Sequence, residues 1–131
     1  MASNSDELKK EVLTHVEHYI RVFNSGDAAA LELLYTDDAV SVWERGKAVT
    51  GRERREGQAE FLTQKPVMKA EVKESYVTHD TALLAVDWDI DFPETPDGPQ
   101  RQQGTGVDVL RRGSDGKWRF AIDNPYGTDL T

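Results

Sequence analysis

The sequence predicts an α+β fold: three N-terminal helices packed on one face of a curved, mostly antiparallel sheet, closing a cone with room inside. Three observations carry that prediction. Apolar residues first recur at spacings of three and four, the pattern turns to alternation from Val67 onward, and turn-forming clusters separate the alternating segments. Helices followed by hairpin-linked strands lay the helices over a single sheet.

The first helix is predicted to start at Ser5, whose hydroxyl can cap orphan amides while Asp6 and Glu7 suit the positive end of the helix. Leu8, Val12, Val16, Tyr19, Ile20 and Phe23 form its buried stripe, and Gly26 can end it in a left-handed cap. Asp27 caps a second short helix, AAALELLY. A small hairpin follows, with Arg45-Gly46-Lys47 as its turn, and then a third helix over roughly 52–63, stopping before Pro66. Four strands complete the chain: VMKAEVKESYVT, TALLAVDWDIDF, RQQGTGVDVLRR and KWRFAIDNP. They are joined by His79-Asp80, TPDGP and GSDG.

A chain of 131 residues makes one domain, expected to span 1–131 with an ordered core over about 5–125. The 24 acidic against 16 basic side chains argue against a nucleic-acid surface, because only GRERR, at 51–55, gathers positive charge. Without cysteine there is no disulfide, thiol nucleophile or thiolate metal site. The polar start MASNSDELKKEV and the lack of any 18-residue apolar run predict neither a signal peptide nor a membrane span, so a cytoplasmic location is expected. His15 and His18 are three apart on one helix without an accompanying carboxylate motif, so no metal site is expected. Arg52, Arg54 and Arg55 are read as the solvated face of the third helix.

Tyr19 is the odd member of its stripe, since a buried phenol needs a hydrogen-bond partner that Leu or Ile would not. On spacing alone it is a core tyrosine with its hydroxyl at a cavity edge. The phrases VEHYIRVFNSGDAAALELLYTDDAVSVW, GRERREGQAEFL and DGKWRFAIDNP add to this. With the order of elements, they resemble the nuclear transport factor 2-like (NTF2-like) superfamily, close to its SnoaL-like and ketosteroid isomerase-like members, over about residues 7–125. The resemblance implies the cystatin-like cone. It also implies Tyr19 and Asp108 as a pair that holds an oxygen becoming negative, and a homodimer formed through the outer sheet face. That isomerase is a worked case of a carboxylic acid kept neutral by an apolar site. At its base position this chain has Trp43, which cannot take a proton from carbon.

Other carboxylates are candidates for that role. In TALLAVDWDIDF, alternation puts Leu84, Val86, Trp88 and Ile90 on one face and Asp87, Asp89 and Asp91 on the other. Asp87 or Asp89 reaches the cavity if the second face is the inner one. Asp123 is a candidate because some SnoaL-like cyclases use a carboxylate late in the chain. Trp43, Phe61, Trp88, Trp118 and Phe120 are candidate walls for a flat ring, or plain core. The expected function is an enolising isomerase, cyclase or dehydratase acting on a small cyclic, polyketide-like carbonyl compound, needing no metal or organic cofactor. The alternative is a ligand-binding or dimeric assembly module of the same fold.

Overall fold

The structure is a computed structural model that describes residues 2–93 and 95–127. Its helices are α1 (Ala2–Ser25), α2 (Ala28–Glu32) and α3 (Gly51–Leu62). Its strands are β1 (Tyr35–Glu44), β2 (Lys47–Val49), β3 (Val67–Val77), β4 (Thr81–Phe92), β5 (Gln100–Arg112) and β6 (Trp118–Asn124). They form one sheet in the order β2-β1-β6-β5-β4-β3, antiparallel except where β1 runs parallel to β6. The α+β class and the cone are as expected.

Two helix boundaries differ from expectation. α1 begins at Ala2, so Ser5 lies inside the helix and not before it. α2 is only five residues long, and Tyr35, read as its end, opens β1 instead. The caps between α1 and α2 are as their chemistry requires. Gly26 adopts φ +78°, and the Asp27 side chain accepts a hydrogen bond from the Ala30 N–H at 3.0 Å. Asn24 then ties the end of α1 to the start of β3, donating to the Met68 carbonyl at 3.0 Å and accepting from the Met68 N–H at 2.7 Å.

The core fills the space between α1 and the inner sheet face. Val12, Val16, Tyr19 and Phe23 come from α1, and Leu84, Val86, Ile90, Leu110 and Phe120 come from the sheet. Register breaks interrupt the ladders at several points. One of them shapes the site: Val109 pairs with Ile122 but Leu110 pairs with Phe120, which leaves Ala121 as an extra residue in β6. Such a bulge changes which face the following side chains point to. Phe120 points inward, Ile122 is 42% exposed, and Asp123 points inward again.

His15 sits on α1 with its ring 5.8 Å from Phe120. Burial, helped by the charges of His18 and Arg119, lowers its pKa to about 4. Between the unfolded value near 6.5 and 4, the unfolded chain binds a proton that the folded one refuses. Stability therefore falls as pH drops through that window. Thermal melts at steps from pH 7 to pH 4 should show this loss, and His15→Leu should make it shallower.

Among the described residues, no helix is long and apolar enough to cross a membrane.

Candidate functional site: a carboxyl pair at the floor of a cavity

A cavity of about 830 Å³ opens between α1, α3 and the inner sheet face. Its aliphatic and aromatic walls include Val16, Ile20, Phe23, Phe61, Met68, Val86 and Ile90, and its polar floor is Tyr19, Tyr35, Asp108 and Asp123.

Glycines make part of this room. A Cβ on Gly57 would lie 2.3 Å from the Trp43 ring, so a side chain there would push the indole off α3. On β5, a Cβ on Gly104 would meet Trp88 at 3.2 Å, and one on Gly106 would meet the Asn124 carbonyl at 3.1 Å. These bare positions let Trp88 and the 124–126 segment lie close over the strand. That segment straps the cavity. The Trp88 indole N–H donates to the Pro125 carbonyl at 2.9 Å, and the Tyr126 hydroxyl donates to the Trp43 carbonyl at 2.8 Å.

The floor is a continuous hydrogen-bonded chain. Asp108 and Asp123 are direct partners across β5 and β6, both on the inner face, and their carboxyls hydrogen-bond each other. The Tyr35 hydroxyl donates to Asp123 Oδ2 at 3.0 Å, and the two phenol oxygens of Tyr19 and Tyr35 are 2.8 Å apart. Because Tyr35 gives its one proton to Asp123, the proton between the phenols belongs to Tyr19. The direction is then Tyr19 to Tyr35 to Asp123, with Asp108 approaching Asp123 from the other side.

Burial raises the pKa of all four groups. The two phenols stay protonated. For Asp108, the neighbouring Asp123 charge and their shared hydrogen bond push further up, against one opposing bond from the Asn124 N–H at 3.3 Å. For Asp123, the Tyr35 hydroxyl, Asp108 and the Arg54 guanidinium all act downward. Two buried carboxyls in contact titrate as a pair, and because Tyr35, Asp108 and Arg54 act downward on Asp123 while Asp123 acts upward on Asp108, Asp123 is the more readily ionised of the two.

Arg54 supports this floor from behind. Only 1% exposed, it lies with its guanidinium carbon 4.5 Å above the Tyr35 ring and is ion-paired with Glu32 of α2. Its Nε and Nη1 have no hydrogen-bond partner among the described residues, so the ring face is their compensating contact. The expectation of a solvated Arg54 is thus corrected: α3 turns this residue into the protein, while Arg52 stays outside, bonded to Glu56 at 2.7 Å.

Of the residues singled out in the sequence, Tyr19, Asp108, Asp123, Trp43, Phe61, Trp88 and Phe120 line the cavity. Asp87 and Asp89 do not, because the apolar face of β4 is the inner one. Val86, Trp88 and Ile90 face in, whereas Asp87 accepts from the Thr105 hydroxyl outside at 2.8 Å and Asp89 lies opposite Lys69 and Gln103. Trp118 is buried core at 4% exposure, opposite Arg112 and off the cavity wall. Tyr35 and Arg54 are the site residues the sequence reading missed. Neither spacing nor composition sets Tyr35 apart from the helix end before it.

A cone of helices over a curved sheet, with an acid pair at the foot of an apolar cavity, is a member of the NTF2-like class of folds. The family model for the SnoaL-like domain matches residues 16–121, and the chain belongs to that family. No protein of curated function matches in sequence. Among solved structures, a candidate dehydratase of the NTF2-like family from Streptomyces avermitilis is similar at TM-score 0.75 and 19% identity, over 91% of this chain and 95% of that one. A ketosteroid isomerase-like protein from Erwinia carotovora atroseptica is similar at 0.70 and 22%, over 89% and 92%. A candidate calcium/calmodulin-dependent protein kinase II association domain from Xanthomonas campestris is similar at 0.73 and 19%, over 92% and 88%. At these identities the likeness is one of fold.

Proposed function

We propose that the protein is a cofactor-independent proton-transfer enzyme, an isomerase, cyclase or dehydratase that enolises a cyclic carbonyl compound in this cavity. The single observation that carries the reading is the pair of carboxyls, Asp108 and Asp123, side by side at the cavity floor, with Asp123 the more readily ionised. Asp123 takes the proton from the carbon next to the carbonyl, and the C–H electron pair moves through to the carbonyl oxygen. Negative charge thereby leaves Asp123 and appears on the substrate. Once protonated, Asp123 no longer needs the proton of Asp108 or the hydroxyl of Tyr35. Those donors, and Tyr19 behind them, become available to the new oxyanion, and donors already fixed in a dry site are worth far more than water there. Returning the proton to a different carbon completes an isomerisation; giving it instead to a β-hydroxyl, which then leaves as water while the enolate collapses to the conjugated carbonyl, completes a dehydration and restores the Asp123 carboxylate. The base role thus passes from the position of Trp43 to Asp123, and Trp43 serves as cavity wall.

Solvent deuterium exchange into the α-positions of a neutral ring ketone such as 2-tetralone, followed by NMR, tests this without knowledge of the natural substrate. The reading expects exchange well above the buffer rate, and exchange at the buffer rate would overturn it.

A second reading, an assembly module, has its own support. Tyr76, Leu83, Val109, Ile122 and Val40 follow one another across five strands on the outer sheet face, with Tyr76 61% exposed and Leu83 and Ile122 42% exposed. An association domain is among the similar folds. This row fits a second copy of the chain, and apolar residues in register across a sheet can bury against their own symmetry mates. Sedimentation should give a dimer, reduced to monomer by Leu83→Lys with Ile122→Lys. Dimerisation without any α-exchange favours the module; dimerisation with exchange is compatible with the enzyme.

A further inference from the structure

The cavity presents its contents with charge of one sign only. Among the described residues, its lining holds aliphatic and aromatic side chains, amides, hydroxyls and the two carboxyls, and no lysine, arginine or histidine. Among the described residues, the carboxyls of Asp108 and Asp123 are the side chains of the lining that can carry a charge at neutral pH, and that charge is negative. Arg54, the cation that acts on Asp123, is not among the lining residues; it stacks on the Tyr35 ring and is ion-paired with Glu32.

The walls are aromatic as well. Tyr19, Trp43, Trp88, Phe120 and Tyr126 border the space, and an aromatic ring can receive a cation on its face. A carboxylate at the foot of an aromatic-walled cavity attracts an ammonium group and repels a carboxylate or phosphate.

We propose that the ligand of this cavity is an organic cation, a ring or fused-ring compound bearing a protonated amine that pairs with Asp123, and that carboxylated and phosphorylated compounds are excluded. This deepens the enzymatic reading and rests on its use of the Asp108–Asp123 pair: the ammonium takes one oxygen of the Asp123 carboxylate and the other keeps the base role, which narrows the substrate to an amine-bearing ring carbonyl. It does not depend on turnover. The volume of about 830 Å³ accommodates a fused-ring body with the amine directed at the floor.

Three probes of one shape and different charge test it: 2-naphthylmethylamine, 2-naphthalenemethanol and 2-naphthoic acid, titrated calorimetrically into the intact protein at pH 7. The expected order is cation, then alcohol, then acid, with at least a tenfold step on each side of the alcohol. Asp123→Asn, checked for folding by thermal melt, should weaken the amine at least tenfold and strengthen the acid, with the alcohol changing less than threefold. The proposal is overturned if the acid binds as well as the alcohol, if the amine binds no better than the alcohol, or if none of the three binds. It is equally overturned if Asp123→Asn leaves the order intact. Failure here with α-exchange retained discards the ligand class and keeps the mechanism, whereas the expected order without α-exchange keeps the ligand class and discards the mechanism.

Discussion

Asp123→Asn is expected to lose α-proton exchange by about 10²- to 10⁴-fold, the usual contribution of a positioned general base, while melting no lower than the wild type at pH 8. The second half follows from the sign of the shifts. Asp123 and Asp108 both have folded pKa values raised above their unfolded ones, burial being the first cause in each. Such groups stabilise the fold fully below the unfolded pKa and lose that contribution as pH rises through the folded values. At neutral pH and above, the wild type holds a carboxyl pair that the unfolded chain would ionise freely. Asparagine removes an ionisable carboxyl from the buried pair yet keeps the contacts, since its amide oxygen can accept from Tyr35 and its N–H can donate to Asp108. A gain on the order of 1 kcal/mol at pH 8, shrinking as pH falls towards 4, is the expected result. Residues kept at a cost to stability mark functional sites. Parallel melts and exchange assays of the variant check both halves, and a variant that is destabilised at pH 8 with exchange unchanged would contradict them.

Arg54→Met should be the most damaging single change to the fold. Removing one partner of a buried ion pair leaves the other charge uncompensated, with typical losses of 3–5 kcal/mol. Glu32 keeps 28% of its side chain exposed and can recover some water, which places the expected loss near the lower end, about 3 kcal/mol. Adding Glu32→Gln removes the orphaned charge and should restore part of that loss, as a double-mutant cycle by chemical denaturation would show. Arg54→Lys should recover little, because an ammonium does not reproduce a flat guanidinium stacked on a ring. The site responds as well. Without Arg54 one of the influences holding the Asp123 pKa down is gone, so the acid limb of the exchange profile should move to higher pH.

Much of the fold was legible because local chemistry and tertiary structure agree. The α1 stripe, the Gly26 cap, the α3 helix, the hairpin turns and the four long strands all stand close to where periodicity and turn residues put them. The site was less legible, for reasons that can be named. Strict alternation from Phe120 would turn Ile122 inward and Asp123 outward; the extra residue Ala121 reverses this, and no residue type announces a bulge. Asp123 was therefore reachable through resemblance and not through pattern. Alternation did divide β4 into its two faces, but a strand with three aspartates opposite four apolar residues does not say which face is inside until the helices are docked. Arg54 departs from expectation because a charged residue on an amphipathic helix is usually solvated; only the position of Tyr35 and Glu32 gives its guanidinium a stacking partner and an ion-pair partner inside the protein.

The most direct test of the account is a pH titration of the aspartate side-chain carboxyl carbons by NMR, on the wild type and on Asp108→Asn. The account predicts that one aspartate of the wild type remains protonated at pH 7, that its titration is coupled to a second, and that the neutral signal disappears in the variant. If every aspartate of the wild type ionised within the ordinary carboxylate range, Asp108 and Asp123 would share no proton and the proposed acid pair would not exist.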